Sequence, residues 1–261
     1  MSAGCYYRRL GIAGEASLFA STDHTRSNWT HEIQHGSPPL ALLTKTLEEM
    51  LPAGMRIARL SFDILGAIPV AEVAVRARVA RPGRRICLLE AEMAAGDGQR
   101  PVARLSAWAM ATSDTTAAAL DRYPPLAEGA TAPLDWQWQN PTGYLETVDW
   151  RPQHGRPDDA CVYWLNSKVG LVDDEPTTAL QRLAMVVDSA NGIGAVLDPQ
   201  EFVYMNTDTT VHLHRCPAGT DFALRARASI GPDGVGVTTA EIFDTRGFIG
   251  TSAQALLVQR S

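Results

Sequence analysis

The sequence predicts an α+β fold made of two copies of one unit, each an antiparallel sheet wrapped around one long helix. Three observations carry this. The first is an internal repeat: "AEVAVRARVARPGRRICLLEAEMAAGDGQRPVARLSAWAM" is echoed by "TDFALRARASIGPDGVGVTTAEIFDTRGFIGTSAQALL". Arg76-Ala77-Arg78 matches Arg225-Ala226-Arg227, and Ala91-Glu92 matches Ala240-Glu241, both 149 residues apart. Ser106-Ala107-Trp108-Ala109 matches Ser252-Ala253-Gln254-Ala255 at 146, and the lost residues fall in the "GDGQRP" turn, where indels are cheap. The second is a helical stripe opening each copy, and the third is the train of β-rich runs that follows it. A sheet with one apolar face must bury it, and the helix is the partner each copy supplies.

In chain order, the first helix is announced by Ser37 as N-cap and Pro38 at the first helical position, with Leu40, Leu43, Leu47, Met50 and Leu51 as its apolar face. "RIARLSFDIL" and "EVAVRARVA" then read as strands. "DRYPPLAEGATAPLDWQWQNP" is rich in Pro and small residues and reads as a linker pinned by Trp136 and Trp138. The expected division is residues 1–112, a linker over 113–139, and residues 140–261. The second helix is entered through "EPTT" and carries Leu180, Leu183, Ala184, Val187 and Asp188 at i, i+3, i+4, i+7 and i+8. A carboxylate closing an apolar stripe needs an explanation, because an unpaired buried charge is expensive. It either leans out to solvent before the Asn191-Gly192 stop signal or has chemical work inside. "FVYMNTDTTVHLH", "FALRARASI" and "GTSAQALLVQ" complete the second sheet.

Composition narrows the function. The chain has 261 residues, is 45% hydrophobic, and carries a net charge of −6, so no basic footprint points to nucleic acid. Cys5, Cys87, Cys161 and Cys216 are scattered without a C-x-x-C pair, which fits a reducing compartment rather than a disulfide framework. No apolar segment precedes "SAGC" to make a lipoprotein leader, and no apolar run approaches the ~20 residues of a membrane span. A soluble cytoplasmic protein without a membrane partner is expected. No G-x-S-x-G elbow and no glycine-rich phosphate loop is present, and neither helix carries the His of a hydratase.

"HGSPPLALL", "MVVDSANGIG", "NTDTTVHLHR" and "SAQALLVQ", in this order and spacing, resemble the double-hotdog acyl-CoA thioesterases, most closely the thioesterase-like proteins of actinobacteria. The resemblance implies a tandem hotdog fold with sheets joined edge to edge and helices adjacent. It implies hydrolysis of fatty acyl-CoA to a fatty acid and CoA by an activated water, with no metal and no other cofactor. In the type II enzymes of this superfamily an Asp on the second helix, a Thr or Ser on the next strand and a Gln on the last strand hold that water. Carried over, these fall on Asp188, Asn206 and Gln254. Asn206 is a departure from the hydroxyl, and it motivates the alternative of a catalytically silent acyl- or CoA-binding protein. Thr207 and Thr209 would point away from Asn206 if alternation held along one strand. The repeat aligns Gln254 with Trp108, so the polar residue is peculiar to the second copy.

His35, Gly36 and Ser37 are the expected substrate-binding residues. Their backbone N–H groups at a helix N-terminus suit a thioester oxyanion, although Gly36 could equally serve only the turn into the helix. Arg76, Arg78, Arg225 and Arg227 are candidates to meet CoA phosphates. His212, His214 and Cys216 would share one strand face at a spacing that zinc hydrolases use, which equally describes a solvated sheet face. A homodimer is compatible with such units, but no particular residue argues for one.

Overall fold

The computed structural model describes residues 4–96, 100–126, 142–153 and 160–261. Trp136, Trp138 and the centre of the expected linker lie outside the described residues. The strands are β1 (Cys5–Ala13), β2 (Ala16–Ser21), β3 (Met55–Ile64), β4 (Glu72–Arg81), β5 (Ile86–Ala95), β6 (Pro101–Ala111), β7 (Val148–Pro152), β8 (Cys161–Ser167), β9 (Gly170–Val172), β10 (Phe202–Asn206), β11 (Asp208–Leu213), β12 (Phe222–Ile230), β13 (Val235–Asp244) and β14 (Gly247–Arg260). The helices are α1 (Ser37–Glu49), α2 (Ala179–Val187) and the single turn α3 (Ala190–Ile193). No helix among the described residues is long and apolar enough to cross a membrane.

All fourteen strands belong to one sheet, in the order β7-β8-β12-β13-β14-β11-β3-β6-β5-β4-β2-β1-β9, with β10 pairing β14 off this path. The duplication is visible in that order: β1-β2-β4-β5-β6-β3 on one side is mirrored by β7-β8-β12-β13-β14-β11 on the other. The two join where β3 pairs β11 antiparallel, with Ser61 opposite Thr210 and their hydroxyls 3.2 Å apart. The ladders also fix the internal alignment. Arg76 faces Glu92 as Arg225 faces Glu241, confirming the offset of 149. Ala91 faces Leu105 while Ala240 faces Ser252, so β6 and β14 are related by 147, not 146. Gln254 therefore corresponds to Ala107 rather than to Trp108. The sequence match had slid by one residue along a run of alternating alanines.

Helix α1 is buried along nearly its whole length, from Ser37 to Leu47. Gly36 is its N-cap and Ser37 its first helical residue, one position earlier than the sequence suggests. Helix α2 begins with a capping box, in which Thr178 accepts from the Gln181 N–H and Gln181 Oε1 accepts from the Thr178 N–H. It packs against α1. It is only nine residues long, not the long helix the stripe suggests. Tyr144 explains the early stop: its buried hydroxyl donates to Met185 O (2.9 Å), the carbonyl that the Ser189 N–H would take in a continuing α-helix. The Ser189 N–H bonds Val186 O instead, tightening the last turn. Asp188 is thus held at a helix end while facing inward.

Around the joint, Arg9 and Lys45 converge on Glu175, with Arg9 Nε 2.5 Å from Oε1 and Lys45 Nζ 2.7 Å from Oε2. This ties β1 and α1 to the loop before α2, beside the parallel β1–β9 pair. The Arg9 hydrogen bond leads in holding the Glu175 carboxyl at a pKa of about 2.

Candidate active site

Asp188 is the convergence point. It is 4% exposed. Its Oδ1 accepts from Thr209 Oγ1 (2.5 Å) and Asn206 Nδ2 (2.8 Å), with Gln254 Nε2 at 3.3 Å. Gln254 Nε2 also donates to Thr209 Oγ1 (2.9 Å) and to Asp188 O (2.9 Å). Thr209 and Gln254 are 0% and 1% exposed, so this carboxylate is held from behind by groups water does not reach. The structure brings together all three residues expected to hold a water.

It also adds Thr209, which the alternation argument had turned away. That argument assumed one continuous strand. Here β10 ends at Asn206 and β11 begins at Asp208, with the Thr207 N–H bonding Ala255 O and Thr207 O receiving the Ile64 N–H. The break resets the alternation, and Asn206 and Thr209 both reach Oδ1. The hydroxyl missing at 206 is therefore supplied at 209.

The other carboxylate oxygen, Oδ2, has no hydrogen-bond donor among the described residues. His35 Nδ1 lies 3.8 Å from it. Gly36 lies directly against it, and a Cβ built there would overlap Oδ2. With φ of −65°, Gly36 is an ordinary helical residue, so glycine is required by the approach of Asp188 and not by a turn. His35 is placed by its N–H to Thr25 O (2.8 Å) and by stacking on Tyr144 at 3.9 Å. Burial lowers its pKa, with the Asp188 charge opposing. Its Nδ1 accepts the Ser37 N–H (3.1 Å), the arrangement of a neutral ring. That bond, with prolines at 38 and 39, leaves the Gly36 N–H as the one backbone donor without an acceptor in this first turn, among the described residues; the buried Ser37 Oγ is also without a partner. The helix N-terminus is a far smaller oxyanion site than "HGS" suggests.

Asp188 lines a cavity of about 340 Å³. His35, Asp188 and Asn206 form its floor, and Trp29, Trp150, Phe202 and Tyr204 are among its walls, with Asn191 one turn beyond Asp188. Nothing in the sequence singles out Trp150 or Tyr144: Tyr144 acts through tertiary contacts with α2 and His35, and Trp150 packs edge-on against Tyr144.

Other expected groups lie elsewhere. Arg225 and Arg227 alternate with buried Leu224 and Ala226, so they occupy the opposite face of the sheet. There Arg225 pairs with Glu241 and donates to Pro124 O (3.0 Å). Arg78 pairs with Glu90. None of the four arginines lines the cavity. His212 and His214 are exposed while Val211 and Leu213 are buried, so both histidines stand on the outer face of this sheet, where His214 stacks on Phe248 and bonds its carbonyl (2.9 Å). Among the described residues they form no cluster of three metal-ligating side chains.

Two family models match the sequence: the acyl-CoA thioesterase N-terminal domain over residues 25–110 and the acyl-CoA thioesterase C-terminal domain over residues 120–258. The chain belongs to the acyl-CoA thioesterase family. No curated protein matches it. Among solved structures, it is similar to an acyl-CoA thioesterase II, TesB2, from Mycobacterium marinum, at 13% identity and a TM-score of 0.66, over 94% of this chain and 93% of that one. It is similar also to a conserved protein of unknown function with a hot dog fold from Alicyclobacillus acidocaldarius (16% identity, TM-score 0.69, 95% and 94% covered). A tesB protein from Mycobacterium avium subsp. paratuberculosis gives 14% identity and a TM-score of 0.64, over 97% and 95%. At such identities the likeness shows the fold, which is the sheet-rich hotdog architecture of thioesterases.

Proposed function

We propose that this thioesterase hydrolyses fatty acyl-CoA with Asp188 as general base and water as the nucleophile. The observation that carries the reading is the division of labour within one carboxylate. Oδ1 is engaged by Thr209, Asn206 and Gln254, while Oδ2 has no donor among the described residues and Asp188 lines the cavity. Oδ2 takes a proton from a water in the cavity as its oxygen bonds the thioester carbon. The C–S bond then breaks, and the thiolate leaves with that proton as CoA, releasing the carboxylic acid. Engaging Oδ1 fixes the plane of the carboxylate, so the lone pairs of Oδ2 are pre-aimed. The Gly36 N–H, a backbone donor left without an acceptor at the cap of α1, is the group we assign to the developing oxyanion, with the Ser37 N–H taken by His35. The protein acts in the cytoplasm on soluble substrate, without metal or nucleic acid.

The silent-binder alternative rested on the lost hydroxyl, and Thr209 removes that motive. Release of free CoA across short, medium and long acyl-CoAs tests the proposal. Turnover of at least one length supports it, and tight binding with no turnover on any length overturns it.

A further inference from the structure

Gln254 is bonded on one side only. Its Nε2 serves Thr209 Oγ1 and both the carbonyl and Oδ1 of Asp188, while its Oε1 is buried with no hydrogen-bond partner among the described residues. The amide cannot turn over to cure this. Oε1 would then stand 2.9 Å from one Asp188 oxygen and 3.3 Å from another, acceptor against acceptor. Oε1 therefore needs a donor from its other side, because a buried acceptor left unpaired is costly.

Strand β13 sets Thr238 directly opposite Gln254. Both side chains point to the buried face, at 0% and 1% exposure, and Thr238 Oγ1 is likewise without a partner among the described residues. Residues opposite each other on paired strands carry Cβ atoms about 4.5–5.5 Å apart, a gap that two polar tips close through one water. Ser252 Oγ is another unpaired buried hydroxyl on this face, but it lies two residues along β14 from Gln254, about 6.6 Å away at the usual rise. The duplication supplies independent support. Thr209, Gln254 and Thr238 form one inward row across β11, β14 and β13. The matching row of the first half, across β3, β6 and β5, is Leu60, Ala107 and Leu89, every member apolar and buried. The row is polar as a unit in the half that carries the candidate site and apolar as a unit in the other. A threonine there for packing alone would have no need to differ from Leu89.

Resting on the thioesterase reading, we propose that Thr238 is a positioning residue: through a bridging water its hydroxyl holds Gln254 Oε1, keeping Nε2 aimed at Thr209 and Asp188. Thr238 does not line the cavity and touches no substrate. It acts on the carboxylate through Gln254, as the outer member of a hydrogen-bonded chain.

The test is a double-mutant cycle read by CoA release. Thr238→Val keeps the shape and removes the hydroxyl, so kcat should fall about tenfold, the worth of one hydrogen bond, with KM within about twofold of wild type. Thr238→Ser should restore the rate. In a Gln254→Met background, Thr238→Val should cost less than about twofold, because the group it acts on is gone. A full loss in that background overturns the proposal, as does an unchanged kcat in Thr238→Val alone. Ser252→Ala should show no such coupling to Gln254, and coupling larger than that of Thr238 would move the role to Ser252 and overturn the proposal. A high-resolution crystal structure of the wild-type protein decides the inference without a variant and without turnover. A water within hydrogen-bond distance of both Thr238 Oγ1 and Gln254 Oε1 supports it, and any other surroundings of Oε1 overturn it. If no acyl-CoA is turned over, the thioesterase reading fails separately, and the crystallographic result still stands.

Discussion

Replacing Asp188 with Asn changes the chemistry of the site and almost nothing else. The amide has the carboxylate's shape, and its oxygen can occupy the Oδ1 position, still accepting from Thr209 at 2.5 Å and Asn206 at 2.8 Å. The amide nitrogen then takes the place of Oδ2, against Gly36 and 3.8 Å from His35 Nδ1, where no donor has to be displaced. Packing and hydrogen bonds therefore survive, and removing a buried charge does not cost stability. What is lost is the lone pair that takes the proton. A general base contributes about 10²–10⁴-fold, or roughly 3–5 kcal/mol of barrier. Asp188→Asn should lower kcat by that factor, with KM and the melting temperature close to wild type. The assay is CoA release followed with a thiol reagent, beside thermal unfolding and competition binding of a non-hydrolysable acyl-CoA analogue. A variant that folds, binds and still turns over within threefold of wild type would refute the reasoning: Asp188 would be a structural cap, and the polar cluster a helix-end network.

Three further outcomes follow from the same geometry. Thr209→Val strips the shortest bond from Oδ1 and leaves Gln254 Nε2 short of an acceptor, so CoA release should fall about 10–100-fold with a stability loss of roughly 1–3 kcal/mol in urea unfolding; Asn206→Leu should do less, and the reverse ranking would assign the positioning role to Asn206. Gly36→Ala has an allowed backbone but a Cβ that collides with Oδ2, so kcat should drop at least about tenfold with α1 intact by circular dichroism; unchanged kcat would show that the carboxylate can move aside freely. Glu175, held at about 2 against 4.5 for a free Glu, is ionised in the fold where the unfolded chain would be protonated, so its stabilisation is full above pH 4.5 and is lost as pH falls toward 2. For Glu175→Gln the stability deficit, on the order of 2–3 kcal/mol at pH 7, should shrink steadily below pH 4.5, and a deficit independent of pH would mean packing and not charge.

What the sequence revealed and what it concealed divide along one physical line. Periodicity and repetition are local, so the helix stripes, the Arg-Ala-Arg strands and the place of Asp188 at the end of a stripe could be read without coordinates; that it faces inward could not. The double sheet followed from the same signals. Thr209 could not be read, because the rule that hid it holds only within an unbroken strand, and the break at Thr207 is made by partners on β3 and β14. The length of α2 was also out of reach, because Tyr144, 41 residues away, takes the carbonyl that would have continued it. The arginines misled for the opposite reason: alternation places them on a face correctly, but not on which face the cavity opens.

The asymmetry between the halves explains why a duplicated chain shows one candidate site and not two. Aligning the helix stripes sets Leu40, Leu43, Leu47 and Glu48 against Leu180, Leu183, Val187 and Asp188, so a carboxylate occupies the same helical position in both halves. Yet Glu48 accepts from Thr178 Oγ1 (2.8 Å) and Gln181 Nε2 (2.7 Å), holding the start of α2, and the strand positions that match Thr209 and Gln254 hold Leu60 and Ala107. Twelve residues run from Glu48 to Leu60, but twenty-one from Asp188 to Thr209. Those nine extra residues let the second half form α3, the following loop and a separate β10, which supply Asn191, Gln200, Phe202, Tyr204 and Asn206 to the cavity. The insertion creates the cavity and brings Asn206, and the polar substitutions beneath it give the carboxylate its other two donors. Neither change alone would suffice: the floor without the insertion would lack this chamber, and the chamber over Leu60 and Ala107 would leave its carboxylate without Thr and Gln to orient it.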